Sequence, residues 1–136
     1  MIKHWKHLGA ALALAFSASW AQAQYVAVVG ANSPATNLTA EQLSNVFAMR
    51  LKALPGAGNA TLVVVGSTKP QLLTVMGKTE DQAKALWVRQ VFTGGGSPPA
   101  EVPSASEAKK LLTNPNAVAI IEAAQVDASV KVICKL

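Results

Sequence analysis

The sequence is poor in the residues that most often carry catalysis and covalent cross-links. It has one cysteine, two histidines and one tyrosine, and only 14% of its residues are charged. A single cysteine excludes an internal disulfide. With so few histidines and cysteines, a zinc cluster, a Cys-His pair and a Ser-His-Asp triad are all disfavoured. We therefore expect a protein that is not an enzyme and that holds no metal and no cofactor.

The amino-terminal segment has the pattern of a secretory signal peptide: a cationic start, an apolar stretch and a small-residue cleavage motif. Lys3 and Lys6 precede a mostly apolar stretch over residues 8–20, and Ala21-Gln22-Ala23 forms the motif. That stretch is too short to cross a bilayer, so no membrane insertion is expected. Cleavage after Ala23 divides the chain into a signal peptide, 1–23, and a single periplasmic domain, 24–136.

Cleavage would also change the chemistry of the chain. It would remove both histidines, His4 and His7, and lower the formal net charge from +5 to +3, because the segment carries two lysines and no acid. The remaining cations form no polybasic tract, and nucleic-acid binding is disfavoured. Cys134 stays as a lone thiol, and its pairing with a second chain is left open.

The stretch from Thr61 to Pro70, T-L-V-V-V-G-S-T-K-P, is the centre of the predicted fold. Its run of four aliphatic residues is typical of a strand buried on both faces. The Gly-Ser-Thr-Lys that follows is typical of a turn into a helix, and Pro70 suits the first helical position. The sequence therefore predicts a buried strand followed directly by a helix amino terminus.

A helix amino terminus offers unpaired backbone N–H groups and the positive end of the helix dipole. The hydroxyls of Ser67 and Thr68 and the ammonium of Lys69 stand at this point, and together they predict a site for a small anion such as phosphate or sulfate. Ser33, in the turn after the first strand, would join the site if the first strand were a parallel neighbour. The alternative is that Ser67 or Thr68 only caps the helix.

Apolar runs and capping boxes predict the remaining elements. Strands are expected near Tyr25, Leu62, Ala117 and Val130. Helices are expected to begin within the capping boxes Thr39-Ala-Glu-Gln42, Thr79-Glu-Asp-Gln82 and Ser104-Ala-Ser-Glu107, and at Pro70. Phe47 and Trp87 lie on the apolar stripes of their helices and are expected in the core. Strands that alternate with helices indicate an α/β domain with one sheet between helical layers.

The order of several short segments resembles the periplasmic phosphate-binding-protein superfamily, the substrate-binding proteins of phosphate ABC transporters, and in particular its small stand-alone members. The matching segments are Val26–Val29 with Asn32-Ser33-Pro34, Leu38-Thr39 with Gln42-Leu43 and Val46-Phe47, Leu62–Val65, Trp87 with Val91–Gly94, Gly96 and Pro98-Pro99, Asn114–Ile120, and Val130–Ile133. The resemblance implies one three-layer lobe with a mixed sheet, and weak binding of phosphate or a similar oxyanion. It also implies a link to phosphate transport or sensing through a membrane transporter, a sensor or a second chain.

The chain departs from the family pattern at several positions. Met49 stands where the family usually has a glycine, and no arginine lies near Gly66-Ser67-Thr68. The resemblance therefore assigns only Ser67 and Thr68 to the anion-binding turn. Lys69 replaces the charge of the family's arginine but not its bidentate hydrogen-bonding geometry. One lobe cannot exclude water from an anion, so weak affinity is expected. The alternative is an envelope structural or interaction protein of the same fold that has lost ligand binding.

Overall fold

The computed structural model describes residues 24–94 and 96–136, so the predicted signal peptide lies outside the described residues. No helix within these ranges is long and apolar enough to span a bilayer. The strands are β1 (Tyr25–Gly30), β2 (Thr61–Val65), β3 (Ala100–Val102), β4 (Ala117–Glu122) and β5 (Val130–Lys135). The helices are α1 (Ala40–Phe47), α2 (Lys69–Met76), α3 (Glu80–Gly94) and α4 (Ala105–Leu111), and 3-10 turns occupy Gly66–Thr68 and Ala123–Gln125.

The five strands form one mixed sheet in the order β3-β2-β4-β1-β5. Strand β2 runs parallel to β3 and to β4, whereas β1 runs antiparallel to both β4 and β5. The carboxyl ends of β2, β3 and β4 therefore meet at one edge of the sheet, and β1 ends at the opposite edge. The predicted α/β class with a mixed sheet is confirmed.

Both faces of the sheet are buried, which explains the unbroken apolar runs of the strands. On one face, Val29, Val64 and Ile120 pack against α1, α2 and α3. On the other face, Val28, Val65 and Ile121 pack against α4 through Ala105 and Ala108. Adjacent strand residues thus alternate between two cores, and the domain has three layers, as predicted.

Two of the three predicted capping boxes form. Thr39 accepts from the Gln42 N–H while Gln42 accepts from the Thr39 N–H, and Thr79 and Gln82 make the same pair of bonds. Ser104 precedes α4 but makes no side-chain capping bond. Its expected partner, Glu107, instead accepts from Lys110, which lies one turn along the helix and competes for the carboxylate.

Strand β3 was not expected from the sequence. It spans only Ala100–Val102 and pairs in parallel with β2, Glu101 opposite Val64. Three residues are too few to show the alternation that identifies a strand. Its position is set by pairing along β2, which is a long-range effect.

Met49, just after α1, has a backbone conformation that a methionine rarely adopts. Its φ is 61°, in the left-handed region that costs an L-residue about 1–2 kcal/mol. Its N–H donates to the Val46 carbonyl, and its side chain packs against the core. The turn and the packing together hold the residue in this conformation, at the position where the family resemblance leads one to expect glycine.

We expect Met49→Gly to be more stable than Met49→Ala by about 1 kcal/mol. Both changes remove the same packing, but only glycine accepts the left-handed conformation without strain. Urea unfolding of the two variants measures the difference. Equal stability, or a more stable alanine variant, would contradict the strain at this residue.

Cys134 lies in β5 with its side chain in the core. Burial raises the pKa of its thiol, which lowers the thiolate fraction at neutral pH. The thiolate is the reactive form in disulfide exchange. A disulfide to a second chain would therefore require β5 to move away from the core.

Candidate functional site

The candidate site lies at the edge of the sheet where β2 ends. The turn Gly66–Thr68 follows β2 without a gap and leads directly into α2 at Lys69, with Pro70 in the first helical turn. The Lys69 N–H donates to the Gly66 carbonyl, and Pro70 has no N–H. The N–H groups without partners inside the helix that could face a ligand here are therefore those of the turn itself. The sequence correctly predicts a helix amino terminus at this point.

Ser67 and Thr68 are adjacent, but they have different environments. Ser67 is exposed at the surface of the turn, whereas Thr68 is 2% exposed. The Thr68 hydroxyl donates to the Ile120 carbonyl at 2.6 Å, which ties the turn to β4. Thr68 also makes no capping bond to α2. Because a hydroxyl has one proton, Thr68 cannot donate to a ligand while this bond is in place.

Lys69 is held by two carboxylates. Its Nζ lies 2.8 Å from Glu80 Oε1, at the start of α3, and 3.1 Å from Glu101 Oε1, in β3. The hydrogen bonds that Lys69 donates to Glu80 and, to a lesser extent, to Glu101 raise the pKa of Lys69. The bond that Glu80 accepts from Lys69 lowers the pKa of Glu80. The ammonium is therefore fully charged at neutral pH, and an arriving anion must compete with both carboxylates for it.

Ser33 lies away from this turn. Strand β1 is separated from β2 by β4 and runs antiparallel to it, so the turn after β1 falls at the opposite edge of the sheet. The Ser33 hydroxyl donates to the Pro115 carbonyl at 2.6 Å and accepts from the Ala35 N–H. The parallel pairing on which its inclusion depended is not formed, and Ser33 stabilises the loop before β4 instead.

The structure thus brings together three of the four predicted site residues, Ser67, Thr68 and Lys69. It adds two neighbours that the sequence reasoning missed, Glu80 and Glu101. Glu80 was expected only to favour the start of α3 through the helix dipole. Glu101 could be placed near Lys69 only by knowing that β3 pairs with β2.

A second surface feature is an apolar groove of about 330 Å³ between α3 and the residues that precede β3. It is lined by Trp87, Val88, Phe92, Pro98 and Pro99. Val88 is 57% exposed and Phe92 is 85% exposed. Helix α3 therefore has buried residues in the core, Ala83 and Trp87, and a second set of apolar residues at the surface.

Comparison with known proteins finds likeness in structure only. No family model matches the sequence, and no curated protein matches it. The first similar structure is a putative phosphate ABC transporter substrate-binding protein with bound phosphate from Clostridium perfringens, with a TM-score of 0.64 and 16% identity. Two further similar structures are an ABC-type phosphate transport receptor from Vibrio cholerae, with a TM-score of 0.62 and 24% identity, and PstS from Borrelia burgdorferi, with a TM-score of 0.56 and 14% identity.

Each alignment covers 82% of this chain. It covers 44%, 45% and 47% of the three neighbours respectively, so the chain spans less than half the length of the proteins it matches. At these identities the likeness establishes the fold. The predicted resemblance to phosphate ABC transporter substrate-binding proteins is thereby confirmed at the level of the fold, and by their names these neighbours are transport proteins.

Proposed function

We propose that this chain is an exported periplasmic solute-binding module that binds phosphate or a similar oxyanion weakly, in the context of phosphate transport or sensing. The observation that carries the proposal is the turn Gly66–Thr68, which opens α2 at the carboxyl edge of a phosphate-binding-protein fold. The donors would be the Ser67 hydroxyl, the N–H groups of the turn, and Lys69 once it is released from its ion pairs.

The expected weakness follows from the groups around the turn. The Thr68 hydroxyl donates its proton to the Ile120 carbonyl, and the Lys69 ammonium forms ion pairs with Glu80 and Glu101. Those carboxylates are acceptors and repel an anion at short range. We therefore expect a dissociation constant in the millimolar range, at which the anion would have to compete with solvent for each contact.

We expect phosphate to shift amide NMR signals at residues 66–71 during a titration at constant ionic strength. Ser67→Ala should weaken binding about tenfold, since a hydrogen bond to a charged partner contributes about 1.5 kcal/mol or more. Ser106→Ala, in the exposed part of α4, is the matched control and should leave binding unchanged. Thr68→Ala is less suitable, because it also removes the bond to β4.

A second pair of variants tests the competition for Lys69. Glu101→Gln should strengthen phosphate binding, because the amide still bonds the ammonium but no longer balances its charge. Glu107→Gln removes a carboxylate that pairs with Lys110 elsewhere, so it controls for net charge. The absence of any shift at residues 66–71 with millimolar phosphate would refute the ligand-binding proposal.

Export is tested separately by the intact mass of the protein recovered from the periplasm of an expressing cell. We expect a mature chain that begins at Gln24, because the small-residue motif 21–23 ends there. A recovered protein that still begins at Met1 would contradict export through a cleavable signal peptide.

The second candidate is an envelope interaction protein of the same fold that binds no ligand. The observation that favours it is the exposed apolar groove along α3, since apolar side chains clustered at a surface mark interaction sites. Pull-downs from envelope extract with the wild-type chain and with Phe92→Ser would test it, by comparing the proteins that each retains. A partner lost with Phe92→Ser, together with no response to phosphate, would favour this candidate.

A further inference from the structure

A second cavity lies at the other end of β2 from the Gly66 turn. Its volume is about 330 Å³, and it is enclosed by the segment that follows α1, the first residues of β2 and the end of α3. Strand β2 has five residues, so its two ends are separated by roughly 13 Å at about 3.3 Å a residue. The cavity is therefore distinct from the proposed phosphate site.

The cavity has an apolar floor and a polar rim. Val46 and Leu62 are buried and form the floor, together with the partly buried Met49. Lys52, Asn59 and Gln90 contribute to the rim. Within the described ranges, these three side chains form no hydrogen bond or ion pair with another residue, unlike Lys69, Lys84, Lys109 and Lys110. Polar groups that converge on one cavity and stay available mark a ligand site.

Met49, the residue with a left-handed backbone conformation, lines this same cavity. Met49 keeps its left-handed φ of 61° while it forms part of the floor. Backbone strain of this kind persists where the surrounding structure fixes it, and it clusters at ligand sites. Three observations therefore coincide here: a cavity of ligand size, unused polar side chains and a strained wall.

We infer that this cavity binds a small organic monoanion, a carboxylate with an apolar body. Among the residues that the structure describes, Lys52 is the only charged one that lines the cavity, and its charge matches one negative charge. The amide groups of Asn59 and Gln90 can donate to the carboxylate oxygens. The hydrocarbon part would replace water on Val46, Met49 and Leu62, which inorganic phosphate cannot do because all of its surface is polar.

Amide NMR with hexanoate and benzoate as probes, each paired with its neutral amide, tests the inference. We expect the carboxylates to shift the signals of residues 46–52, 59–62 and 90, and to bind at least about fivefold more tightly than hexanamide and benzamide. Lys52→Met should remove that preference for the acid. Arg50→Met removes an exposed cation two residues away that does not line the cavity, and it should leave the preference intact.

Each possible result either supports or contradicts the carboxylate site. Equal binding of acid and amide, loss of the preference in Arg50→Met as much as in Lys52→Met, or no shift at these residues would overturn the carboxylate site. Because Lys52 is exposed, its replacement is not expected to affect folding, and the spectrum of the free variant checks this directly. A separate phosphate titration, read at residues 66–71, reports on the other site, so failure of one site is distinguishable from failure of the other.

Discussion

Replacing Trp87 by alanine is expected to lower the free energy of unfolding by about 3–5 kcal/mol. The indole ring is 5% exposed and belongs to the core between α3 and the sheet. Its N–H donates to the Phe47 carbonyl at 2.7 Å, at the end of α1. The change therefore opens a large cavity and also leaves a buried carbonyl without its donor.

Two matched variants separate these contributions. Trp87→Phe keeps most of the ring and removes the donor, so its cost should be clearly smaller than that of alanine. Val88→Ala changes the next residue of α3, which is 57% exposed, and should cost less than about 0.5 kcal/mol. Urea unfolding followed by circular dichroism measures all three. A loss below about 1 kcal/mol for Trp87→Ala would contradict its place in the core.

Gly30→Ala is expected to cost about 3 kcal/mol or more, or to prevent folding. A Cβ atom at this position would lie 2.1 Å from the carbonyl oxygen of Leu112. The Leu112 oxygen belongs to the backbone, and the backbone of residue 30 fixes the position of the Cβ, so no side-chain rotation can relieve the overlap. Gly30 ends β1 opposite Val130 of β5, and Leu112 follows α4, so relief would require the helix to move away from the sheet.

Gly66→Ala is the control for this change. The nearest atom to a Cβ at Gly66 is 3.6 Å away, an ordinary contact, and its φ is not positive. Its stability should stay within about 0.5 kcal/mol of the wild type or rise slightly, because alanine narrows the unfolded ensemble. The soluble yield and the urea midpoint of the two variants give the comparison. Similar midpoints for Gly30→Ala and the wild type would show that the helix and the sheet are not packed so closely.

Local chemistry explains which elements could be predicted from the sequence. The capping boxes at Thr39 and Thr79 lie within one helical turn and form as expected. The αL glycine at the end of α2, Gly77 with a φ of 65°, is equally local. By contrast, β3 and the direction of β1 depend on which strands meet across the sheet, and a short apolar run carries no information about that.

At the candidate site, too, the features set by neighbouring residues could be predicted and those set by distant residues could not. Ser67, Thr68 and Lys69 were correctly placed on one turn, because the strand, the glycine and the proline are adjacent in sequence. The bond from Thr68 reaches Ile120, 52 residues away, and one ion pair of Lys69 reaches Glu101, 32 residues away. Ser33 was expected to join the anion site on the condition that β1 is a parallel neighbour of β2, and the antiparallel pairing of β1 with β4 removes that condition.

The place of β1 in the sheet has a consequence for the order in which the domain acquires its structure. Within the described residues, strand β1 pairs with β4 and β5, and β4 begins about ninety residues after β1. Pairing these strands therefore requires closure of a long loop, and its entropic cost precedes the stabilisation that the strand contacts provide. Local units such as β2 with its turn and α2 can form early. Among the described strands, β1 is therefore synthesised well before the two strands with which it pairs. A domain built in this way stays incompletely folded until β4 and β5 have been synthesised, and its apolar β1 remains available to chaperones until then.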